Sequence, residues 1–224
     1  MDRKSKKLAI CASRYLLVAL LWIMAAAPNP VIGATPAILT DIALIEALRS
    51  GGHNIYFRHV ATDWSQSDDV REAGDWLSCN PAQMRQLSDA GRADAVAIGN
   101  AIRELQIPIG EVQASPYCRT VETARLMKIG EVEPSTAVMN LLAADYFGGR
   151  ASIVATTQAL LATSPVSGTN RVIVAHGNVA QASTPVYPAE GEGVVFQPDG
   201  KGGFYLVGRV GPADWPRLVK LARQ

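Results

Sequence analysis

From residue 41 onward, several segments have apolar residues at the spacing typical of helices. Residues 41–49 have an apolar stripe at helical spacing and end at two glycines, which predicts a first helix. Further helices are predicted over residues 119–127 and 153–163. A helix is also predicted from Ser88, a suitable N-cap, with one face formed by Ala93, Ala97, Ile98, Ala101, Ile102 and Leu105.

Short apolar runs between these helices predict strands. They cover residues 54–57, 111–114 and 171–176, and the last run is almost wholly apolar, as expected of a strand covered on both faces. Residues 193–198 and 204–210 predict a terminal β-hairpin around a glycine-rich turn. Helices that alternate with strands predict an α/β fold, a three-layer α/β/α sandwich with a mostly parallel central sheet.

The amino-terminal segment has a different pattern. A basic stretch precedes an apolar run over residues 15–27, and small residues follow up to Ala34, which is typical of an export signal. We predict a signal peptide over residues 1–34, cleaved after Ala34 or, as second choice, Ala27, and one domain over residues 35–224. Because the run is short for a membrane span, we expect a periplasmic or secreted chain without stable membrane insertion; an uncleaved anchor is the alternative.

Charge and cysteine content narrow the function further. The formal net charge is +1, and no lysine or arginine cluster follows residue 34, so no nucleic-acid partner is expected. Cys79 and Cys118 remain after the predicted signal, and an oxidising compartment favours a disulfide between them over two free buried thiols. With three histidines in the chain and no paired metal-ligand spacing, we expect neither a metal nor a cofactor.

Three predicted strands lead into residues suited to anion binding. Arg58 and His59 follow the first strand, Arg119 lies shortly after the second, and His176 ends the third. Ligands of open α/β sheets bind beyond the carboxyl ends of the strands, so we expect these four side chains to share one pocket. Like charges in a confined site repel unless an anion compensates them, and guanidinium groups match phosphoryl oxygens. The pattern therefore favours a phosphate site.

Four motifs resemble those of the histidine phosphatase superfamily, which includes cofactor-dependent phosphoglycerate mutases. They lie in family order at residues 57–62, 85–94, 114–124 and 174–178. The resemblance implies a phosphoglycerate mutase-like fold and a metal-independent phosphomonoester hydrolase. It also implies that His59 attacks phosphorus while Arg58, Arg119 and His176 hold the phosphoryl oxygens. The expected partner is a small phosphorylated substrate, with phosphosugars among the candidates.

Two positions depart from the family pattern. Val60 stands where the family has glycine, which predicts restricted backbone freedom and a reshaped pocket. The usual glutamate that acts as general acid is absent from its place. Asp145, Glu190 and Glu192 are candidates, and we favour Glu190 among them, with a solvated loop carboxylate as an equal alternative. These departures leave an alternative function, a catalytically weak phosphoryl-group-binding protein of the cell envelope.

A long polar segment, residues 61–81, is predicted to form a surface loop over the site. Its aspartates, Asp63, Asp68 and Asp69, either orient the substrate or His59, or are simply solvated; the solvated interpretation is the default.

Attack by His59 requires a neutral imidazole, so we predict that a backbone carbonyl accepts the N–H of its other ring nitrogen. His53, which precedes the first strand, is predicted to be exposed.

Overall fold

The computed structural model describes residues 37–224, so the predicted signal peptide over residues 1–34 lies outside the described residues. The helices are α1 (Asp41–Ser50), α2 (Asp89–Glu104), α3 (Cys118–Met127), α4 (Arg150–Ala162), α5 (Gly177–Ser183) and α6 (Asp214–Ala222). The strands are β1 (Asn54–Arg58), β2 (Ile109–Ala114), β3 (Val132–Pro134), β4 (Asn170–Ala175), β5 (Gly193–Pro198) and β6 (Phe204–Val210). Short 3₁₀ segments cover Asp75–Leu77, Thr136–Val138 and Leu141–Phe147. Within this range, no helix is long and apolar enough to cross a membrane.

The strands form one sheet in the order β3-β2-β4-β1-β5-β6. Strands β3, β2, β4 and β1 run parallel, whereas β5 pairs antiparallel with both β1 and β6. The hairpin predicted at the end of the chain is therefore the antiparallel edge of the sheet. The predicted α/β fold with a mostly parallel sheet is confirmed.

Side chains alternate between the two faces of the sheet and so define three layers. In β1, Ile55 and Phe57 pack in one core with α1, α2, α3 and α6. Tyr56 points to the opposite face, where it packs with Leu161 of α4 and Ala180 of α5. All five residues of β1 are buried, as expected of a central strand covered on both faces.

The predicted buried face of α2 is wrong at Ala93 and Ala97, which are exposed. The helix instead turns Gly91 and Gly99 inward. A Cβ on Gly91 would lie 2.1 Å from the carbonyl oxygen of Ala61, and one on Gly99 would lie 1.9 Å from that of Met127. These contacts need residues without a side chain, and hydrophobic periodicity alone does not register glycine as an interface residue.

Cys79 and Cys118 form the predicted disulfide. Cys118 is the first residue of α3, and Cys79 lies near the end of the long loop over residues 61–81. The bond closes a separation of 39 residues and ties this loop to the start of α3, one residue before Arg119.

Candidate active site

His59 follows the carboxyl end of β1 and is held by backbone contacts. Its backbone N–H donates to the carbonyl oxygen of Ala175 at 3.0 Å, and the residue is only 2% exposed. The ring Nδ1 lies 3.0 Å from the carbonyl oxygen of Val60. A carbonyl only accepts, so Nδ1 carries the proton and Nε2 keeps its lone pair. The predicted backbone-carbonyl partner is confirmed.

His176 follows β4 and faces the same space. The two imidazole ring centroids are 5.7 Å apart. The Nε2 of His176 lies 2.8 Å from the hydroxyl of Ser115, which follows β2, and the Tyr56 hydroxyl donates to the backbone oxygen of His176 at 2.8 Å. The ends of β1, β2 and β4 therefore meet as the sequence predicted.

Burial and positive neighbours keep both imidazoles neutral. Burial lowers the pKa of His59 well below 6.5, and the charge of Arg119 lowers that pKa further, while the Val60 carbonyl opposes the shift. The same two causes, burial first and Arg119 second, lower the pKa of His176. A neutral His59 has the free electron pair that nucleophilic attack needs.

We expect His59 and His176 to stay neutral when free protein is taken from pH 7.5 to pH 6, where an ordinary histidine becomes mostly protonated. NMR titration of the imidazole resonances measures this. Below about pH 6.5 these histidines bind protons in the unfolded chain but not in the folded pocket. The free energy of unfolding should therefore decrease as the pH falls below about 6.5. A resonance of His59 that titrates near pH 6.5 would contradict the burial argument.

Three arginines surround the two histidines. Arg58 donates from Nη1 to the carbonyl oxygen of Pro188 at 3.2 Å. Arg119, in the first turn of α3, is 1% exposed and forms a buried ion pair with Asp68. Arg85 lies with its guanidinium carbon 4.1 Å from the centre of the Trp64 ring, and burial followed by the charge of Arg119 lowers its pKa. Three positive groups thus share one pocket, in which Asp68 contacts Arg119 and Glu190 contacts Arg58.

Five buried polar groups around this space have no hydrogen-bond partner within residues 37–224, and all five can donate when the Ser115 hydroxyl donates to Nε2 of His176. They are the Nε atoms of Arg58, Arg85 and Arg119, the Nδ1 of His176 and the hydroxyl of Tyr117. Their proximity is independently evident, since the charges of all three arginines act on both imidazoles and the Tyr117 ring lies 4.7 Å from the His176 ring. A buried donor left unpaired costs about 1–3 kcal/mol, so this arrangement is suited to an oxyanion that accepts from all of them.

The three candidate general acids differ in position. Glu190 accepts from the hydroxyl of Thr62 at 2.8 Å and lies 3.4 Å from Nη2 of Arg58. Glu192 is occupied by Arg209 at 2.6 and 2.9 Å, on the hairpin side. Asp145 is exposed on a 3₁₀ segment. Of the three, Glu190 is the one in contact with a pocket arginine.

Sequence reasoning missed several residues of this pocket. Asp68 is not solvated, because it pairs with Arg119. Arg85 and Tyr117 also belong to the pocket, and both lie within the family motifs at residues 85–94 and 114–124. Asp63 does lie at the surface, where it accepts from Ser65 and Gln66. His53 is buried rather than exposed, with its backbone N–H donating to Asn170.

Val60 fits its position without backbone strain. The φ angle of Val60 is not positive, and its side chain packs in the core on the side of the sheet that carries α1. Its N–H donates to the Thr123 hydroxyl at 3.4 Å. The glycine expected from the family is therefore not required by the backbone conformation found here.

A cleft with a volume of about 1090 Å³ lies beside this pocket. Neither imidazole lines it. Thr62 and Trp64 line it, and both donate to Glu190, so they form the partition between the cleft and the pocket. Trp64 is 67% exposed. Within residues 37–224, no group of three His, Cys, Asp or Glu side chains is arranged to hold a metal ion.

Comparison with known proteins identifies the fold. No family model and no curated protein sequence matches the chain. Among solved structures, the protein histidine phosphatase SixA in complex with tungstate is 14% identical, with a TM-score of 0.52 over 72% of this chain and 98% of SixA. A mycobacterial glucosyl-3-phosphoglycerate phosphatase is 19% identical, with a TM-score of 0.51 over 72% of this chain and all of that protein (100%). The chain therefore has the fold of the histidine phosphatases, and the predicted phosphoglycerate mutase-like fold is confirmed.

Proposed function

We propose that this protein is an exported, metal-independent phosphomonoesterase that works through a phosphohistidine formed on His59. The observation that carries the proposal is a set of buried donor groups that have no partner among residues 37–224 and lie around a neutral imidazole. They are the Nε of three arginines, Nδ1 of His176 and the Tyr117 hydroxyl. Such donors match the three equatorial oxygens of a phosphoryl group in transfer, where fixed electrostatic stabilisation is the main source of catalysis.

In the first step, the Nε2 lone pair of His59 attacks phosphorus as the ester P–O bond breaks. The proton stays on Nδ1, which donates to the Val60 carbonyl oxygen, and this hydrogen bond stabilises the positive charge that develops on the ring. Arg58, Arg119 and His176 stabilise the charge on the phosphoryl oxygens, and Arg85 is added to this set. Glu190, when protonated, donates its proton to the leaving oxygen.

In the second step, the same carboxylate removes a proton from water, which attacks phosphorus and breaks the P–N bond. His59 regains its lone pair and inorganic phosphate leaves. Glu190 accepts hydrogen bonds from Thr62 and Trp64, which hold its carboxyl group in place for both steps.

The substrate we propose is a small phosphomonoester, with phosphosugars as the leading class. The solved SixA structure binds tungstate, an oxyanion shaped like phosphate, and the mycobacterial enzyme is by its name a phosphatase of a glycosylated phosphoglycerate. The cleft beyond Thr62 and Trp64 lies on the Glu190 side, where a leaving group must be protonated. An exposed indole beside polar side chains suits a sugar ring.

The direct test is hydrolysis of p-nitrophenyl phosphate, glucose 6-phosphate and phosphoserine by the mature chain in the presence of a metal chelator. We expect turnover of the generic ester and preference for the phosphosugar over phosphoserine. The alternative, a weak binding protein of the cell envelope, predicts calorimetric binding of inorganic phosphate without turnover of any ester. Turnover that disappears with the chelator would contradict the metal-independent mechanism.

Replacing Glu190 by glutamine should distinguish Glu190 from Asp145 as the general acid. We expect kcat for an alkyl phosphate to fall about 10²-fold, and kcat for p-nitrophenyl phosphate to fall less, because nitrophenolate leaves without protonation. Steady-state kinetics on both esters measures the difference. Asp145→Asn is the matched control and should leave both rates unchanged; a loss there, with Glu190→Gln unaffected, would assign the acid to residue 145.

Export is proposed from the amino-terminal pattern and from the disulfide, since such bonds persist mainly in oxidising compartments. Expression of the full chain in a Gram-negative host should release a soluble periplasmic or extracellular protein. Intact-mass measurement should give a chain that starts at Thr35. A chain recovered with Met1 in the membrane fraction would favour the uncleaved anchor instead.

A further inference from the structure

Asp68 makes the most strongly buried ion pair in the pocket. Its side chain is 5% exposed, and its two carboxylate oxygens accept from Nη1 and Nη2 of Arg119 at 2.8 and 2.9 Å. The backbone N–H of Arg85 also donates to Asp68 at 3.1 Å. Arg119 in turn donates to the carbonyl oxygen of Arg85 at 3.3 Å, which closes a ring of contacts among three residues.

This pairing decides which edge of Arg119 is free. All N–H groups of a guanidinium lie in one plane, and Asp68 takes one from each terminal nitrogen. The carbonyl of Arg85 takes the second N–H of Nη1. What remains is the side edge, made by the Nε–H and the second N–H of Nη2. The Nε is buried and has no partner in the part of the chain that the structure describes. A phosphoryl group can therefore reach Arg119 only along this edge.

We propose that Asp68 is a positioning residue that aims this edge of Arg119 at the phosphoryl group and, as a fixed negative charge, weakens the binding of the phosphate anion. The inference rests on the proposed function. The Asp68 carboxylate then has two opposite effects. It aligns the Arg119 guanidinium in the transition state, and it repels the bound phosphate dianion in the ground state.

The two effects have distinguishable kinetic signatures. A carboxylate on the same guanidinium as a phosphate repels both substrate and inorganic phosphate, and in a buried pocket this repulsion is little screened by salt. Removing the charge should therefore tighten anion binding. The same change loosens the orientation of Arg119, so the rate should fall. Removal of ground-state destabilisation lowers kcat and KM together, and tighter binding of inorganic phosphate distinguishes it from slower hydrolysis of the phosphohistidine, which lowers both constants without changing phosphate affinity.

The experiment compares Asp68→Asn with Asp69→Asn. The second residue is the adjacent carboxylate, 44% exposed and paired with Arg71 at the surface, so it controls for loss of one negative charge from the loop. Binding of inorganic phosphate is measured by calorimetry in the inactive His59→Ala background, and kcat and KM are measured with p-nitrophenyl phosphate in the active background.

We expect Asp68→Asn to bind phosphate about fivefold more tightly and to lose about tenfold in kcat, with KM lowered, while Asp69→Asn matches its parent. Asp68→Glu keeps the charge on a longer side chain, so it should lose kcat with phosphate affinity unchanged; this variant also serves if Asp68→Asn does not fold. Weaker or unchanged phosphate binding in Asp68→Asn would overturn the proposal.

Failure of the proposed function gives a different result. If the wild type hydrolyses no ester, the phosphatase proposal fails, while the calorimetric comparison in the His59→Ala background still tests whether Asp68 opposes the anion. If the wild type is active and the two asparagine variants behave alike, the phosphatase stands and the role of Asp68 fails.

Discussion

Replacement of His59 by alanine is expected to lower kcat/KM for p-nitrophenyl phosphate by about 10⁴-fold or more, since removal of a covalent nucleophile usually costs at least that much. The imidazole contributes little to the core of the fold, because its ring contacts are to the Val60 carbonyl and the His176 ring. We therefore expect circular dichroism and the free energy of unfolding to stay near the wild-type values while the rate collapses.

His53→Ala is the matched control for this prediction. His53 is also buried, and burial lowers its pKa as well, but it precedes β1, whereas His59 follows it. Its loss should leave kcat/KM within about twofold, a change typical of substitutions far from the chemistry. Comparable rates in the two variants would remove His59 from the mechanism.

Replacement of Arg119 by alanine should have the second largest effect, on both catalysis and stability. The variant loses a donor to the phosphoryl oxygens, which is expected to reduce kcat by about 10²–10³-fold. It also leaves Asp68 buried without its partner, and breaking a buried ion pair in this way typically costs about 3–5 kcal/mol of folding free energy. Steady-state kinetics and urea denaturation measure the two losses separately.

Arg150 provides the control for Arg119→Ala, because it is also an arginine in the first turn of a helix, α4, and is exposed. Arg150→Ala should change neither property by a measurable amount. The double variant Arg119→Ala/Asp68→Asn should recover part of the lost stability, since the unpaired charge is gone, but none of the lost activity. Recovery of activity in the double variant would show that Arg119 serves only to neutralise Asp68.

The regular elements could be predicted where apolar spacing was regular over several turns or alternations. Helices α1 to α4 and strands β1, β2, β4, β5 and β6 lie close to their predicted bounds. Strand β3 has three residues, two of them exposed, which is too short for an alternation to be read. Helix α6 contains Pro216, a residue that reads as a helix breaker but is tolerated in the first turn.

The site was predictable as far as strand ends determine it. Topology places Arg58, His59 and His176 at one edge of the sheet, and motif spacing adds Arg119. The position of Asp68 in the pocket was not predictable, because the path of the loop over residues 61–81 depends on the disulfide and on tertiary contacts rather than on any local pattern. The separation of Glu190 from Glu192 depends on Gly191, whose φ of 75° turns the chain between them.

The most direct test of the account is to trap the covalent intermediate. A ³²P-labelled phosphomonoester is mixed with the wild-type chain, the reaction is quenched in base within milliseconds, and the labelled peptide is mapped by mass spectrometry. The account predicts an acid-labile, base-stable phosphoryl group on His59 that is absent from His59→Ala. A labelled serine, threonine or His176, or rapid turnover without any label, would contradict the mechanism.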